Sequence, residues 1–300
     1  MTPTPSLRRR IAILGAGRIG SALGFQLART GGHDVTVVAR RGSDRLRRLE
    51  RDKGVVSVTG ERAEVRILDQ LDEQAPYDLI IVTLLAHQAA PLLPSLRRSA
   101  AKEILLMFNS FDPDAMGDAV GVERCAFGMP FLQADYDGEG RLKAVIGAAG
   151  QKSLLSRQSL VELFNAAGAP AAYERDMPLW LRCHAPLCIA FQSVCTAGER
   201  RGGGCSWGEA RVAARGVQAA FALIRALGRP VYPTAKAWLS RMPVWLVAGL
   251  FWGVSRNRPF RELLATGRLE GRALTDAMLA AAATAAPAVP VARIEAMRPL

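Results

Sequence analysis

The stretch from Arg10 to Arg41 constrains the fold of this 300-residue chain more than any other. It opens with the apolar run Ile11-Ala12-Ile13-Leu14, which reads as a buried parallel strand. Gly15-Ala16-Gly17-Arg18-Ile19-Gly20 follows at once. Ser21 to Thr30 then reads as a helix, with Ala22, Leu23, Phe25, Gln26 and Leu27 at helical spacing. Gly31-Gly32 stops it, and Val35-Thr36-Val37-Val38 makes a second strand. A glycine-rich turn between a strand and a helix, inside a βαβ unit, is the dinucleotide-binding pattern. The three glycines serve different ends. Gly15 allows the tight turn, Gly17 admits a pyrophosphate close to the backbone, and Gly20 lets the helix lie against the strand. The helix start offers free N–H groups and the positive end of its dipole to the phosphates.

The end of the second strand selects the nucleotide. An NAD site places Asp or Glu there to bond the ribose 2′-hydroxyl. Here Ala39, Arg40, Arg41 and Ser43 stand in that place, with no acid. A guanidinium binds a 2′-phosphate bidentately and keeps its charge, so the expected cofactor is NADP(H). The alternative is that Arg40 and Arg41 are surface charge in an arginine-rich chain.

The rest of the chain divides in two. Through residue 173 strands and helices alternate, as in a doubly wound parallel sheet. Leu79 to Thr83 and Ile104 to Phe108 read as buried strands, the latter ending at Asn109. Leu84 to Leu96 reads as a helix broken by Pro91 and Pro94. Cys125 to Met129 reads as a strand, Phe131 to Ile146 as a hairpin, and Ser153 to Ala167 as a helix capped by Ser153. Beyond Pro178 strand patterns vanish, long helical runs follow, and Gly198 to Gly204 reads as a loop. The expected architecture is an α/β Rossmann domain over 1–173 and an all-α domain over 174–300.

Composition narrows the function. The net charge is +12, and only five of the 39 basic residues are lysine. No nucleic-acid-binding motif accompanies that charge, so nucleic acid is not an expected partner. Five cysteines with no C-x-x-C, and three isolated histidines, give no metal-ligand spacing. Free thiols and no secretory pattern after the arginines of Met1 to Arg10 point to the cytoplasm. Ala237 to Val254 is strongly apolar but too short to span a membrane, with Trp238, Trp245 and Trp252 seven residues apart. It reads as a buried core helix or a dimer contact; the wall of an apolar substrate pocket and contact with a membrane surface are the sharper alternatives.

The GAGRIG motif, the arginine closing the second strand, Val82-Thr83-Leu84, the strand ending in Asn109 and a helical half opening with Leu179-Trp180 together resemble the ketopantoate reductase (2-dehydropantoate 2-reductase) family. That resemblance implies a Rossmann domain, a helical domain, NADPH, and a 2-oxo acid held between the two. Carried over by position, Gly15 to Gly20 (with Ala16, Arg18 and Ile19) and Leu84 would line the cofactor, Arg40 and Arg41 would meet the 2′-phosphate, and Asn109 would sit near the nicotinamide ribose and substrate. Glu270 would hold the substrate. The family's catalytic lysine falls at Arg182, its helix asparagines at Pro186 and Ala190, and a further lysine at Leu85.

These substitutions bear on chemistry. Reducing a carbonyl requires a proton donor, and arginine holds its proton too tightly to serve. Arg182 would stabilise a developing alkoxide or clamp a carboxylate. His184 either supplies the proton or is an ordinary buried histidine. Glu270 either binds substrate or is a solvated helix start. The expected function is an NADPH-dependent reductase of a carbonyl or imine other than ketopantoate, homodimeric and metal-free. The alternative is a non-catalytic NADP(H)-binding sensor or partner protein.

Overall fold

A computed structural model of the chain describes residues 8–147 and 150–300. Residues 1–7, over which no secretory pattern is read, lie outside them. Two compact units are present: one comprises residues up to 108 together with 114–177, the other 109–113 with 178–300.

In the first unit, chain order is β1 (Arg10–Leu14), α1 (Arg18–Phe25) continued by one π-helical turn over Gln26–Thr30, β2 (Asp34–Val38), α2 (Asp44–Asp52), β3 (Val55–Val56), β4 (Arg62–Ala63), β5 (Arg66–Leu68) and β6 (Leu79–Val82). Then come α3 (Ala86–Ala89), α4 (Leu93–Arg98), β7 (Glu103–Met107), α5 (Pro113–Val120), β8 (Cys125–Met129), β9 (Leu132–Tyr136), β10 (Leu142–Ile146), β11 (Ser153–Leu155), α6 (Gln158–Ala166) and β12 (Ala171–Tyr173). The main sheet runs β12-β11-β8-β7-β6-β1-β2-β5. All its pairings are parallel except β8 with β11. Both faces are covered, which is why its strands are unbroken apolar runs. Ile11, Ile13, Val37, Ile81 and Leu105 join one core, and Ala12, Leu14, Ile80, Val82 and Leu106 the other.

The chain moves outward from β1 through β2 to β5, then returns to lay β6 on the other side of β1. That reversal creates a crevice at the carboxyl ends of β1 and β6, where open α/β sheets bind ligands. The turn after β1 and the Thr83-Leu84 segment after β6 meet there.

Two local expectations are corrected. Ser153 does not cap a helix: Ser153 to Leu155 is a strand, and the Ser153 hydroxyl accepts from the Phe131 N–H at 3.2 Å. Pairing of Leu154 and Leu155 with Met129 and Gly128 overrides the local helical pattern. The loop expected from Gly198 is shorter, because the preceding helix continues through Arg201. It ends at Gly202, whose φ of +73° is a conformation that glycine adopts without strain.

The second unit is helical: α7 (Met177–Arg201), α8 (Trp207–Ala226), α9 (Thr234–Leu239), α10 (Val244–Val254), α11 (Arg258–Ala265), α12 (Arg268–Ala282) and α13 (Val291–Ala296). Ser206 caps α8 reciprocally with Glu209: its Oγ accepts from the Glu209 N–H at 3.2 Å, and the Glu209 carboxylate accepts from the Ser206 N–H at 2.7 Å. The small inner face of α8, with Ala213, Ala214 and Ala220, lets Val247, Ala248 and Phe251 of α10 pack close. The tryptophans of the apolar stretch, read as core helix or dimer contact, stand outside this core. Trp238, on α9, is 69% exposed; Trp245 is 62% exposed because α10 turns only its Val247/Ala248/Phe251 stripe inward.

Candidate functional site

The glycine loop has the geometry its sequence demands. Gly15 has a φ of +111°, and a Cβ there would stand 2.9 Å from Leu84 Cδ2. A Cβ on Gly20 would stand 1.9 Å from the Gly15 carbonyl oxygen, so only glycine lets α1 start this close to β1. Thr83 secures the turn: its N–H donates to Leu14 O at 2.9 Å and its hydroxyl to Gly15 O at 3.0 Å. Gly17 is different. It caps α1 with a φ of −73°, and a Cβ there would meet nothing within 4 Å. The chain itself imposes no glycine at that position; an anion lying against the open backbone would. Ala16 is buried, Arg18 is exposed at the first position of α1, and Ile19 packs on the sheet core.

Positive charge gathers beside this loop. Arg40 and Arg41 follow β2 and are exposed. Arg41 is paired with Asp69 at 2.6 Å, whereas no ion pair engages Arg40 among the described residues. Tyr136 was not foreseen here. From β9 its hydroxyl donates to Ser21 Oγ at 2.7 Å and lies 3.2 Å from Gly17 O, and the Arg45 guanidinium covers its ring at 3.4 Å. Arg18 pairs with Asp135 at 3.0 Å. The open cradle at Gly17 and the uncommitted Arg40 fit a dinucleotide with a 2′-phosphate.

The helical unit holds a second polar cluster. Asn109 is buried, and its Nδ2 donates to Glu270 Oε1 at 3.0 Å. Gln192 of α7 donates to the other carboxylate oxygen, Oε2, at 2.7 Å. Glu270, in the first turn of α12, is therefore bound through both oxygens and is not a solvated helix start. Gly267 and Gly271 make room, since a Cβ on either would come 2.4 Å from the Gln192 amide. Cys188 lies one helical turn before Gln192 and donates from Sγ to Asn109 Oδ1 at 3.6 Å; burial and Glu270 push its thiol pKa up.

Arg182 is buried, pairs with Asp112 at 3.0 Å and lies 5.8 Å from the Phe111 ring. His184 takes another direction. It stacks on Trp180 with ring centroids 4.4 Å apart, and burial together with the Lys236 charge pushes its pKa down to about 3. Burial thus favours the uncharged ring at neutral pH. The group that sequence reading missed is Lys236 of α9. It is the one buried lysine of the five, donates to Trp180 O at 3.2 Å, and lies 3.8 Å from the Trp180 ring centre. Among the described residues no group of His, Cys, Asp and Glu is arranged to hold a metal ion.

Residues 11–151 match the family model of ketopantoate reductase PanE/ApbA. Over that span, a little under half of its length, the chain resembles the ketopantoate reductase family. No protein of curated function matches it. Among solved structures, a PanE/ApbA family ketopantoate reductase from Ralstonia eutropha JMP134 is 18% identical with a TM-score of 0.68, each chain covered to 96%. A 2-dehydropantoate 2-reductase from Geobacter metallireducens GS-15 is 20% identical with a TM-score of 0.68, covering 96% of this chain and 97% of that one. D-mandelate dehydrogenase in complex with NADH is 15% identical with a TM-score of 0.69, each chain covered to 96%. At these identities the ketopantoate reductase-type fold extends through the helical half, and nucleotide choice rests on this chain's own residues.

Proposed function

We propose that this chain is an NADPH-dependent reductase of a carbonyl or imine substrate, related in kind to the ketopantoate reductases but acting on a different molecule. The observation that carries the reading is the Asn109–Glu270–Gln192 arrangement. A carboxylate held through both oxygens by two amides is a built acceptor for a substrate hydroxyl or ammonium. Gly15, Gly17 and Gly20 cradle the pyrophosphate, with Leu84 against the loop, and Arg40 meets the 2′-phosphate. NADPH supplies the hydride when bound. Arg182 clamps a substrate carboxylate or stabilises the oxygen as negative charge develops on it. A neutral His184 and a permanently charged Arg182 leave Lys236 as the cation of this cluster able to deliver a proton to that oxygen.

The departures from the family set the substrate apart. Pro186 and Ala190 stand where the resemblance puts asparagines on α7, and neither side chain can hydrogen-bond a substrate. NADPH oxidation followed against a panel of 2-oxo acids, ketones and cyclic imines tests the reading. Turnover of at least one, with ketopantoate poor or inert, is the expected result. Tight NADPH binding without turnover of any compound overturns it in favour of a non-catalytic NADP(H)-binding protein.

A further inference from the structure

From Ala210 to Arg261 the chain contains no Asp or Glu but nine Lys and Arg residues. Seven of these (Arg211, Arg215, Arg225, Arg229, Arg241, Arg256 and Arg258) are exposed. The same stretch carries α10, an 11-residue helix without a charged side chain. Its inner stripe packs on α8; its outer stripe presents Trp245, Leu246 and Leu250 at 62%, 40% and 46% exposure. Trp238, on α9 six residues before α10 begins, is 69% exposed, and Trp207 extends the apolar face by an edge contact with Trp252 at 6.5 Å.

Arginines border this face. Arg225 hydrogen-bonds Ser240 Oγ, just before Arg241, and Arg256 covers the Trp252 ring at 3.3 Å. Apolar and indole side chains flanked by cations, with no acid over 52 residues, match the surface of an anionic bilayer. Indole rings favour the headgroup level, where the ring is buried and its N–H stays wet. No helix among the described residues is long and apolar enough to cross a membrane, so the contact is one of lying on the surface. A second copy fits less well, because a two-fold contact would set the acid-free, cationic stretch against itself. We propose that the outer face of α10, with Trp238 and Trp245, docks on an anionic lipid bilayer.

Vesicle flotation of the full chain tests this, with phosphatidylcholine alone and with phosphatidylcholine mixed with phosphatidylglycerol. Flotation is expected only with the anionic vesicles, weakening as salt rises, with a blue shift of tryptophan emission. The Trp238→Ser/Trp245→Ser double variant should bind about ten-fold more weakly. Leu246→Ser/Leu250→Ser, on the same face, should do likewise, with circular dichroism as the check on folding. Absence of flotation, or flotation unchanged by both variants, overturns the proposal. So does a dimer that these substitutions dissociate in light scattering without any vesicle binding, which would give the face to a second copy.

Discussion

Asn109 and Glu270, 161 residues apart in sequence, meet in a 3.0 Å hydrogen bond inside the helical unit. The amide orients the carboxylate through one oxygen while Gln192 holds the other. Because the acceptor is charged, each bond is worth roughly 1.5–3 kcal/mol. Asn109→Ala should lower kcat/KM by about 10- to 100-fold while NADPH affinity stays within a few-fold. Steady-state kinetics beside fluorescence titration of NADPH separates the two effects. Glu270→Gln should do at least as much damage, because it replaces one acceptor oxygen with a donor.

Arg40 governs the nucleotide. Removing its guanidinium takes away the charge-assisted hydrogen bonds to the 2′-phosphate, so Arg40→Ala should raise the NADPH Kd by about 10- to 100-fold and leave NADH binding nearly unchanged. Titration of both nucleotides checks it; equal effects on the two would remove Arg40 from the phosphate site. Arg41→Ala should matter less, since that side chain is committed to Asp69.

Lys236 should show itself on substitution. A general acid must carry a proton it can release, so Lys236→Met should lose about 100-fold in kcat. Lys236→Arg keeps the charge but cannot release the proton at working pH, so it should be impaired alike. Partial recovery of Lys236→Ala by added primary amines would mark proton delivery. If Lys236→Arg is fully active, charge alone is the role.

His184 makes stability sensitive to acid. Its folded pKa is pushed from 6.5 to about 3, so below pH 6.5 the unfolded chain binds a proton that the folded chain refuses. Stability is full above that value and falls as pH drops toward 3, by about 5 kcal/mol from this group. Tm measured across that range should decline less steeply in His184→Gln. An unchanged slope would show that the imidazole is not buried in its neutral form.

Arg10 to Arg41 determined the glycine loop, its flanking strands and the basic end of β2 without help from the rest of the chain. Those features are local: backbone conformation at Gly15, contact between Gly20 and the preceding turn, and helix polarity all lie within one βαβ unit. The helical half was legible as helices for the same reason, through long helical runs and the loss of strand patterns beyond Pro178. Ser153 marks the limit, because a serine ahead of an amphipathic run is a helix start only if no strand edge claims it, and β8 did.

The polar cluster could be decided only by tertiary structure. Whether Glu270 faces water or Asn109, whether His184 carries charge, and whether Lys236 is solvated or buried against Trp180 all depend on groups that approach from distant segments. Burial and neighbouring charge set what such side chains can do, and neither is a property of a residue's near neighbours in sequence. So the nucleotide fingerprint could be read along the chain and the family resemblance pointed to Asn109, Arg182 and Glu270, while their partners and the burial of Lys236 emerged only from the packing of separate segments.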